Sequence, residues 1–371
     1  MRSPELGGAP DRPAIEFGGR AYTFGQLDRA IEEWIARDDA PVYDASTLSV
    51  SDALICVCAA FRRGIPVRVE NPDARPARGD LPPSAFLLVT TSGSTGRPRP
   101  LARTAASWFD SFPAFTAITG VEAVDRVLIT GPLHATMHLF GALHALWQGA
   151  CVTDDASSAT VVHAVPAVLR DVVNRAPRLR TAIVAGIALD DGARAAAAGV
   201  EIVEYYGSAE VSLVAARRVP EPLRLLDAVD AEIRDGLLYV RTPYAVLGGP
   251  EWFGVGDLAE LGADRELVVR GRGESAINVG GTTVVAEDVE RVLGRLDGVA
   301  AVAVVGAPHA VFGEIVTAAV QLDGVELDAV RAQARGLLMK EAMPRRWVPL
   351  PRLPRTASGK VARGQLKDLL A

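Results

Sequence analysis

Apolar positions along this chain switch between a helical period and a strand period. Leu27, Ile31 and Trp34 recur at helical intervals behind Thr23-Phe24-Gly25-Gln26, which has capping-box spacing, so a helix is predicted to start near residue 24. Residues 53–63 predict a second helix, stopped by Gly64, and residues 65–69 then read as a strand. The apolar run at 85–89 has the pattern of a buried strand. Helix and strand patterns keep alternating to about residue 230, and the Ala-rich stretch 192–199 predicts a helix with a small-residue face. After Asp230 the texture changes. Residues 231–234 and 237–240 flank Asp235-Gly236 and predict a hairpin. A charged, Gly-rich segment at 270–274 marks a domain boundary. Beyond it Val285, Val289, Val292 and Leu293 share one helical face, 299–305 reads as a buried strand, and 329–338 predicts another helix. The fold class is therefore α/β: a large layered N-terminal domain over 1–270 and a small α+β C-terminal domain over 271–371, with no internal repeat.

Composition narrows the function. The 371 residues are 49% apolar and 23% charged, enough to bury two or three cores. A net charge of −6 argues against a general nucleic-acid or membrane-surface binder. Three cysteines make no disulfide framework, and Cys56 and Cys58 sit in an apolar run as core residues. No hydrophobic segment follows Met1-Arg2-Ser3-Pro4-Glu5, and no apolar run approaches the length of a membrane span, so a cytoplasmic protein is expected.

Candidate chemistry begins directly after the 85–89 run. Thr91, Ser92, Gly93, Ser94, Thr95, Gly96, Arg97, Pro98 and Arg99 combine small residues, hydroxyls and two cations. Such a stretch lets backbone N–H groups turn inward onto an anion, the chemistry of a polyphosphate loop, although the composition is also that of an ordinary linker. Gly-Lys-Ser/Thr does not end it, so it is not the usual nucleotide loop. Further segments follow in order: His138-Leu139-Phe140-Gly141, Gly186-Ile187-Ala188-Leu189, Tyr205-Tyr206-Gly207-Ser208-Ala209-Glu210, Gly256-Asp257-Leu258, Gly271-Arg272 with Gly280-Gly281, and Arg355-Thr356-Ala357-Ser358-Gly359-Lys360. In these motifs the chain resembles the adenylate-forming superfamily of acyl- and aryl-CoA synthetases, peptide-synthetase adenylation domains and luciferases. The resemblance runs from about Pro13 to Lys367.

That resemblance implies an acid–thiol ligase that forms an acyl-adenylate from a carboxylic acid and ATP, then passes the acyl group to coenzyme A. It assigns residues 91–96 and Arg99 to the phosphates, and Glu210 to Mg²⁺, for which a hard oxygen ligand is suited. Tyr206 has a flat face for adenine, Gly186, Gly207 and Ser208 lie beside it, Asp257 can accept from both ribose hydroxyls, and Arg272 offers a fork of donors to the ribose. Lys360 would supply a point charge between carboxylate and α-phosphate. His138 stands at the wall between acyl pocket and thiol tunnel, with Phe140, Gly141 and Tyr205 around the acid. Glu274 occupies the hinge about which a mobile C-terminal lid rotates, and Gly280 and Gly281 line the thiol tunnel, unless they form a plain turn.

Taken singly, Asp257 is a turn aspartate, Lys360 a surface lysine and Glu210 a helix-terminal carboxylate. The spacing of His134, His138 and His144 raises a metal site, but no Glu follows the first His as a zinc protease requires; His163 and His309 read as structural or surface residues. The chain departs from the family pattern at Pro98-Arg99-Pro100, at Ala209 in place of Thr, at Glu274 in place of Asp or Lys, and in an N-terminal part that reads as trimmed. Two alternatives therefore stand beside the ligase: an adenylating enzyme that loads the phosphopantetheine of a separate carrier protein, and a degenerate nucleotide-binding homologue. The acid reads, by position, as apolar or aromatic.

Overall fold

The period-2 strands and the amphipathic helices between them resolve into layers, because each apolar face must be covered. The structure is a computed structural model that describes residues 6–73, 80–90, 100–186, 189–273, 276–279, 282–309, 313–355 and 361–370, with Arg272, Ala276, Asn278, Thr282 and Thr283 described by backbone alone. The chain divides into two units, one of residues 1–231, 240–253 and 263–267, the other of 232–239, 254–262 and 268–371. Against the expected division at 270/271, two short earlier segments thus group with the C-terminal residues.

The first unit opens with hairpin β1 (Pro13–Phe17) and β2 (Arg20–Thr23) and helix α1 (Phe24–Arg37). The expected capping box is present: Gln26 N–H donates to Thr23 Oγ1 at 3.2 Å, and Thr23 N–H to Gln26 Oε1 at 2.8 Å. Strand β3 (Tyr43–Asp44) leads to α2 (Val50–Arg63), which begins before the predicted residue 53 because Ser49 caps it, and ends at Gly64 with φ +66°. The expected strand at 65–69 shortens to β4 (Val67–Arg68). β5 (Leu87–Thr90) and β6 (Pro100–Arg103) are antiparallel, with Thr90 opposite Pro100. Residues 91–99 between them lie outside the described residues.

Two short helices, α3 (Ala106–Phe109) and α4 (Phe112–Thr119), precede the main sheet. Its parallel core comprises β7 (Arg126–Ile129), then α5 (Thr136–Gln148), β8 (Cys151–Thr153), β9 (Val161–Ala164), α6 (Pro166–Val172), β10 (Thr181–Val184), α7 (Asp191–Ala196) and β11 (Glu201–Ser208). The antiparallel strands β12 (Ser212–Arg218) and β13 (Arg224–Leu225) extend it. The order is β13-β12-β11-β10-β9-β7-β8-β1-β2. Alternation divides each strand between two cores. Val127, Ile129, Val161, Ile183 and Val203 pack with α1, α2 and α5, while Leu128, Val162, Ala182, Val184 and Ile202 pack with α6.

Beyond it, β14 (Asp230–Arg234), β15 (Leu237–Arg241), β16 (Phe253–Leu261) and β17 (Leu267–Arg272) form a four-stranded sheet in that order. The expected turn joins β14 and β15, with Asp235 at φ +50° and Gly236 at φ +76°. In the second unit, β18 (Ala276–Val279), β19 (Thr282–Val285), α8 (Ala286–Leu293), β20 (Val299–His309), β21 (Gly313–Leu322), α9 (Leu327–Ala334), β22 (Arg346–Pro349) and α10 (Arg363–Leu370) follow. Val304, Ala318 and Val320 face α8 and α9; Ala303, Val305 and Ala319 face α10. The helix predicted over 329–338 runs instead over α9, because Arg335 turns extended and Gly336 takes φ +82°. Among the described residues no helix is long and apolar enough to cross a membrane.

Candidate active site

From β7 the chain goes out to β8 on one side and returns to β9 on the other, so the strand order reverses at β7. In open α/β sheets the crevice at the carboxyl ends of the strands, at such a reversal, is where ligands bind. Gly131, the first turn of α5, Val165, Gly186 and the end of β11 all lie at these carboxyl ends.

His138 sits in the first turn of α5, 8% exposed. Its ring lies so close to Gly131 that a Cβ there would overlap it. Burial, with His134 nearby, pushes its imidazole down to about 4. Gly141, one turn along, lies against His163 of β9; a Cβ there would stand 2.7 Å from that ring. His163 is completely buried, both its ring nitrogens lack a hydrogen-bond partner among the described residues, and burial holds it well below the usual histidine range. Phe115 joins these parts, with ring centroids 5.0 Å from Phe140, 4.9 Å from His144, 5.9 Å from His163 and 5.5 Å from Tyr205. Burial raises the Tyr205 phenol. The four residues expected around the acid, His138, Phe140, Gly141 and Tyr205, are thus brought to the surroundings of His163 and Phe115. Of the two readings expected for His163, structural or surface, its burial in β9 against a glycine of the facing helix fits the structural one. His144 is held by Thr116 at 2.8 Å and pushed down to about 3 by burial, and no group of three metal-ligating side chains stands among the described residues.

On the nucleotide side, β10 and β11 are parallel with Val184 opposite Glu204, which carries Gly186 and Tyr206 out at the same end. Gly186 has φ +86°. Tyr206, Gly207 and Ser208 finish β11, where the register with β12 shifts, and any Cβ on Gly207 would overlap the Ser212 carbonyl. Glu210 lies in the three-residue connection from β11 to β12. Its N–H donates to Ser208 Oγ at 3.3 Å and its carbonyl accepts from Val246 N–H at 2.8 Å. The carboxylate has no hydrogen-bond partner among the described residues, and a half-buried free carboxylate is the donor Mg²⁺ takes.

In its own unit, Asp257 is 7% exposed on β16, directly after Gly256 with φ +76°. Arg272 ends β17, and its side chain lies outside what is described. The proposed residues Thr91–Arg99, Glu274, Gly280, Gly281 and Lys360 lie outside the described residues altogether.

Residues 288–360 match the family described as AMP-binding enzyme C-terminal domain. YhfT of Bacillus subtilis, an uncharacterized acyl-CoA ligase, is 28% identical over 89% of this chain and 81% of its own length. Along most of its length the chain is similar to acyl-CoA ligases, and its C-terminal part matches a family of AMP-binding enzymes. Indoleacetate–CoA ligase of Aromatoleum aromaticum is 28% identical over 81% of this chain and 70% of its own. ATP-bound MatB from Rhodopseudomonas palustris has the same fold, with a TM-score of 0.84 at 20% identity over 97% of this chain and 96% of that one. MenE from Bacillus subtilis, solved with the acyl-adenylate OSB-AMP, gives a TM-score of 0.84 at 20% identity over the same shares.

Proposed function

We propose that the chain is an ATP-dependent carboxylic acid–CoA ligase. The acid's carboxylate oxygen attacks the α-phosphorus of ATP, a carbonyl–O–P bond forms, the bond to the bridging oxygen breaks and pyrophosphate leaves. The CoA thiol then gives up its proton to solvent as its sulfur bonds to the acyl carbon, and AMP departs with the electron pair of the acyl–oxygen bond. The observation that carries the reading is the convergence of Gly186 with Tyr206, Gly207, Ser208 and Glu210 at the carboxyl ends of adjacent parallel strands.

Adenine stacks on Tyr206, and main chain at Gly186 and Gly207 approaches its edge. Glu210 would hold Mg²⁺, which would neutralise charge on the phosphate oxygens. Residues 91–96 and Arg99 take the phosphates, Asp257 and Arg272 the ribose hydroxyls, and Lys360 the carboxylate and α-phosphate as they meet. The lid carrying Lys360 turns about Glu274, and Gly280 and Gly281 then leave room for the thiol. His138, neutral at physiological pH, closes the acid's side of the crevice. The ring-lined surroundings of Phe115, Tyr205 and His163 favour an apolar or aromatic acid.

Acid-dependent exchange of labelled pyrophosphate into ATP, run across aryl, medium-chain and amino acids, tests the first step. Exchange with an aryl or apolar acid is the expected result; silence with every acid leaves a degenerate nucleotide-binding homologue. Thioester formation with free CoA, compared with a purified carrier protein, tests the acceptor.

A further inference from the structure

Arg103, at the end of β6, is completely buried. Its Nη1 donates to the Ala209 carbonyl at 2.5 Å, and its Nη2 to the carbonyls of Ser107, at 3.2 Å, and Tyr244. Nε has no hydrogen-bond partner among the described residues. The guanidinium carbon stands 5.2 Å from the centre of the Trp108 ring. Burial draws the guanidinium down to about 10, with the Glu210 charge acting against that, so it stays ionised at neutral pH.

Burying a cation among neutral carbonyls is a poor route to stability, since an apolar side chain of similar volume would avoid the desolvation cost. What the arrangement does achieve is a clamp. Arg103 holds the carbonyl before Glu210, and Val246 N–H holds the carbonyl of Glu210 itself at 2.8 Å. Tyr244, on the segment that carries Val246, accepts from the same guanidinium, and Leu247 N–H donates back to Ala102 at 2.8 Å. Both peptide units flanking the Glu210 Cα are therefore fixed to one buried cation and its strand.

We propose that Arg103 is a positioning residue: by holding the Ala209 carbonyl it sets the direction in which the Glu210 carboxylate leaves the β11–β12 connection to meet Mg²⁺ and the nucleotide. The inference rests on the adenylation reading of Glu210, and its sign is a loss confined to magnesium-nucleotide binding.

The test uses the full chain with Arg103→Met, Arg103→Lys, Glu210→Gln and Arg103→Met/Glu210→Gln, measuring equilibrium binding of Mg·ATP by calorimetry beside pyrophosphate exchange and melting temperature. Arg103→Met should weaken Mg·ATP binding and raise the half-saturating Mg²⁺ at least ~10-fold, the scale of losing a partner behind a metal ligand, with the KM for the acid unchanged. Arg103→Lys should restore part of the affinity. In the Glu210→Gln background Arg103→Met should add nothing, because the two act through one carboxylate. Unchanged Mg·ATP affinity in folded Arg103→Met, or in Arg103→Lys should the Met variant not fold, overturns the proposal; so does an effect that adds in full to that of Glu210→Gln. A wild-type chain that binds Mg·ATP with this coupling but exchanges no pyrophosphate refutes the ligase reading and leaves Arg103 in its role.

Discussion

The buried ionisable groups near the candidate site differ from the ion-paired groups elsewhere in either unit, such as Asp125 with Arg180 in the first. In the first unit, Nδ1 of His138 and of His144 and both ring nitrogens of His163 lack hydrogen-bond partners among the described residues, and the Arg103 guanidinium donates to neutral carbonyls. In the second, Arg363 of α10 reaches Glu290 of α8 at 2.6 and 2.9 Å, Glu287 at 3.1 Å and the Val304 carbonyl at 2.9 Å, while Glu290 also accepts from Val304 N–H at 2.6 Å. A part-buried charge joined to both neighbouring elements staples helix to strand. Buried ring nitrogens without partners stabilise nothing by themselves.

Breaking the staple should produce the largest effect. Arg363→Leu leaves Glu290 and Glu287 facing each other across a partly covered site, and should cost the second unit about 3 kcal/mol. Denaturant unfolding followed by Trp347 emission would register this, and an unchanged midpoint would show that the network contributes only geometry. Next in size, Lys360→Ala should slow adenylation by at least ~10²-fold, the scale of a lost transition-state charge contact, while sparing thioester formation from preformed acyl-adenylate. Equal loss of both steps would contradict a lid that presents two faces.

In the first unit, Gly141→Ala forces a methyl group against the His163 ring, 2.7 Å away, and should cost about 1–3 kcal/mol by overpacking. The KM for the acid should rise while the KM for ATP stays; the reverse would move His163 out of the acid's surroundings. The smallest effect is the pH slope. Burial lowers all three imidazoles, to about 4 for His138 and about 3 for His144. The unfolded chain therefore takes up protons as pH falls through about 6.5, the folded unit does so only near the lowered values, and stability declines across that window. Each histidine contributes up to about 1.4 kcal/mol per pH unit, and His144→Gln should flatten a urea-midpoint profile between pH 6 and 4.

Much of the architecture was legible along the chain. The box at Thr23 and Gln26, the stop at Gly64 and the turn at Asp235-Gly236 are local devices, and each forms where its residues predict. Element lengths were less legible. Ser49 lengthens α2 and Arg335 shortens α9, because the end of a helix depends on one capping geometry. The proposed site residues stand in the sequence as an ordered set of motifs, whereas neither the contacts of Arg103 nor the burial of His163 could be read there. Arg103 follows an unremarkable Pro-Leu-Ala, and its partner Ala209 lies 106 residues away.

The sequence by itself determined the periods, the caps and the order of the chemical groups, since these depend on neighbours within a turn or a strand. Only the tertiary structure decided that the strand order reverses at β7, that Gly141 receives His163, and that a cation at the end of one hairpin grips the peptide before Glu210. Such pairings are selected by how faces pack and by which buried polar groups must find one another, and local pattern carries no record of that choice.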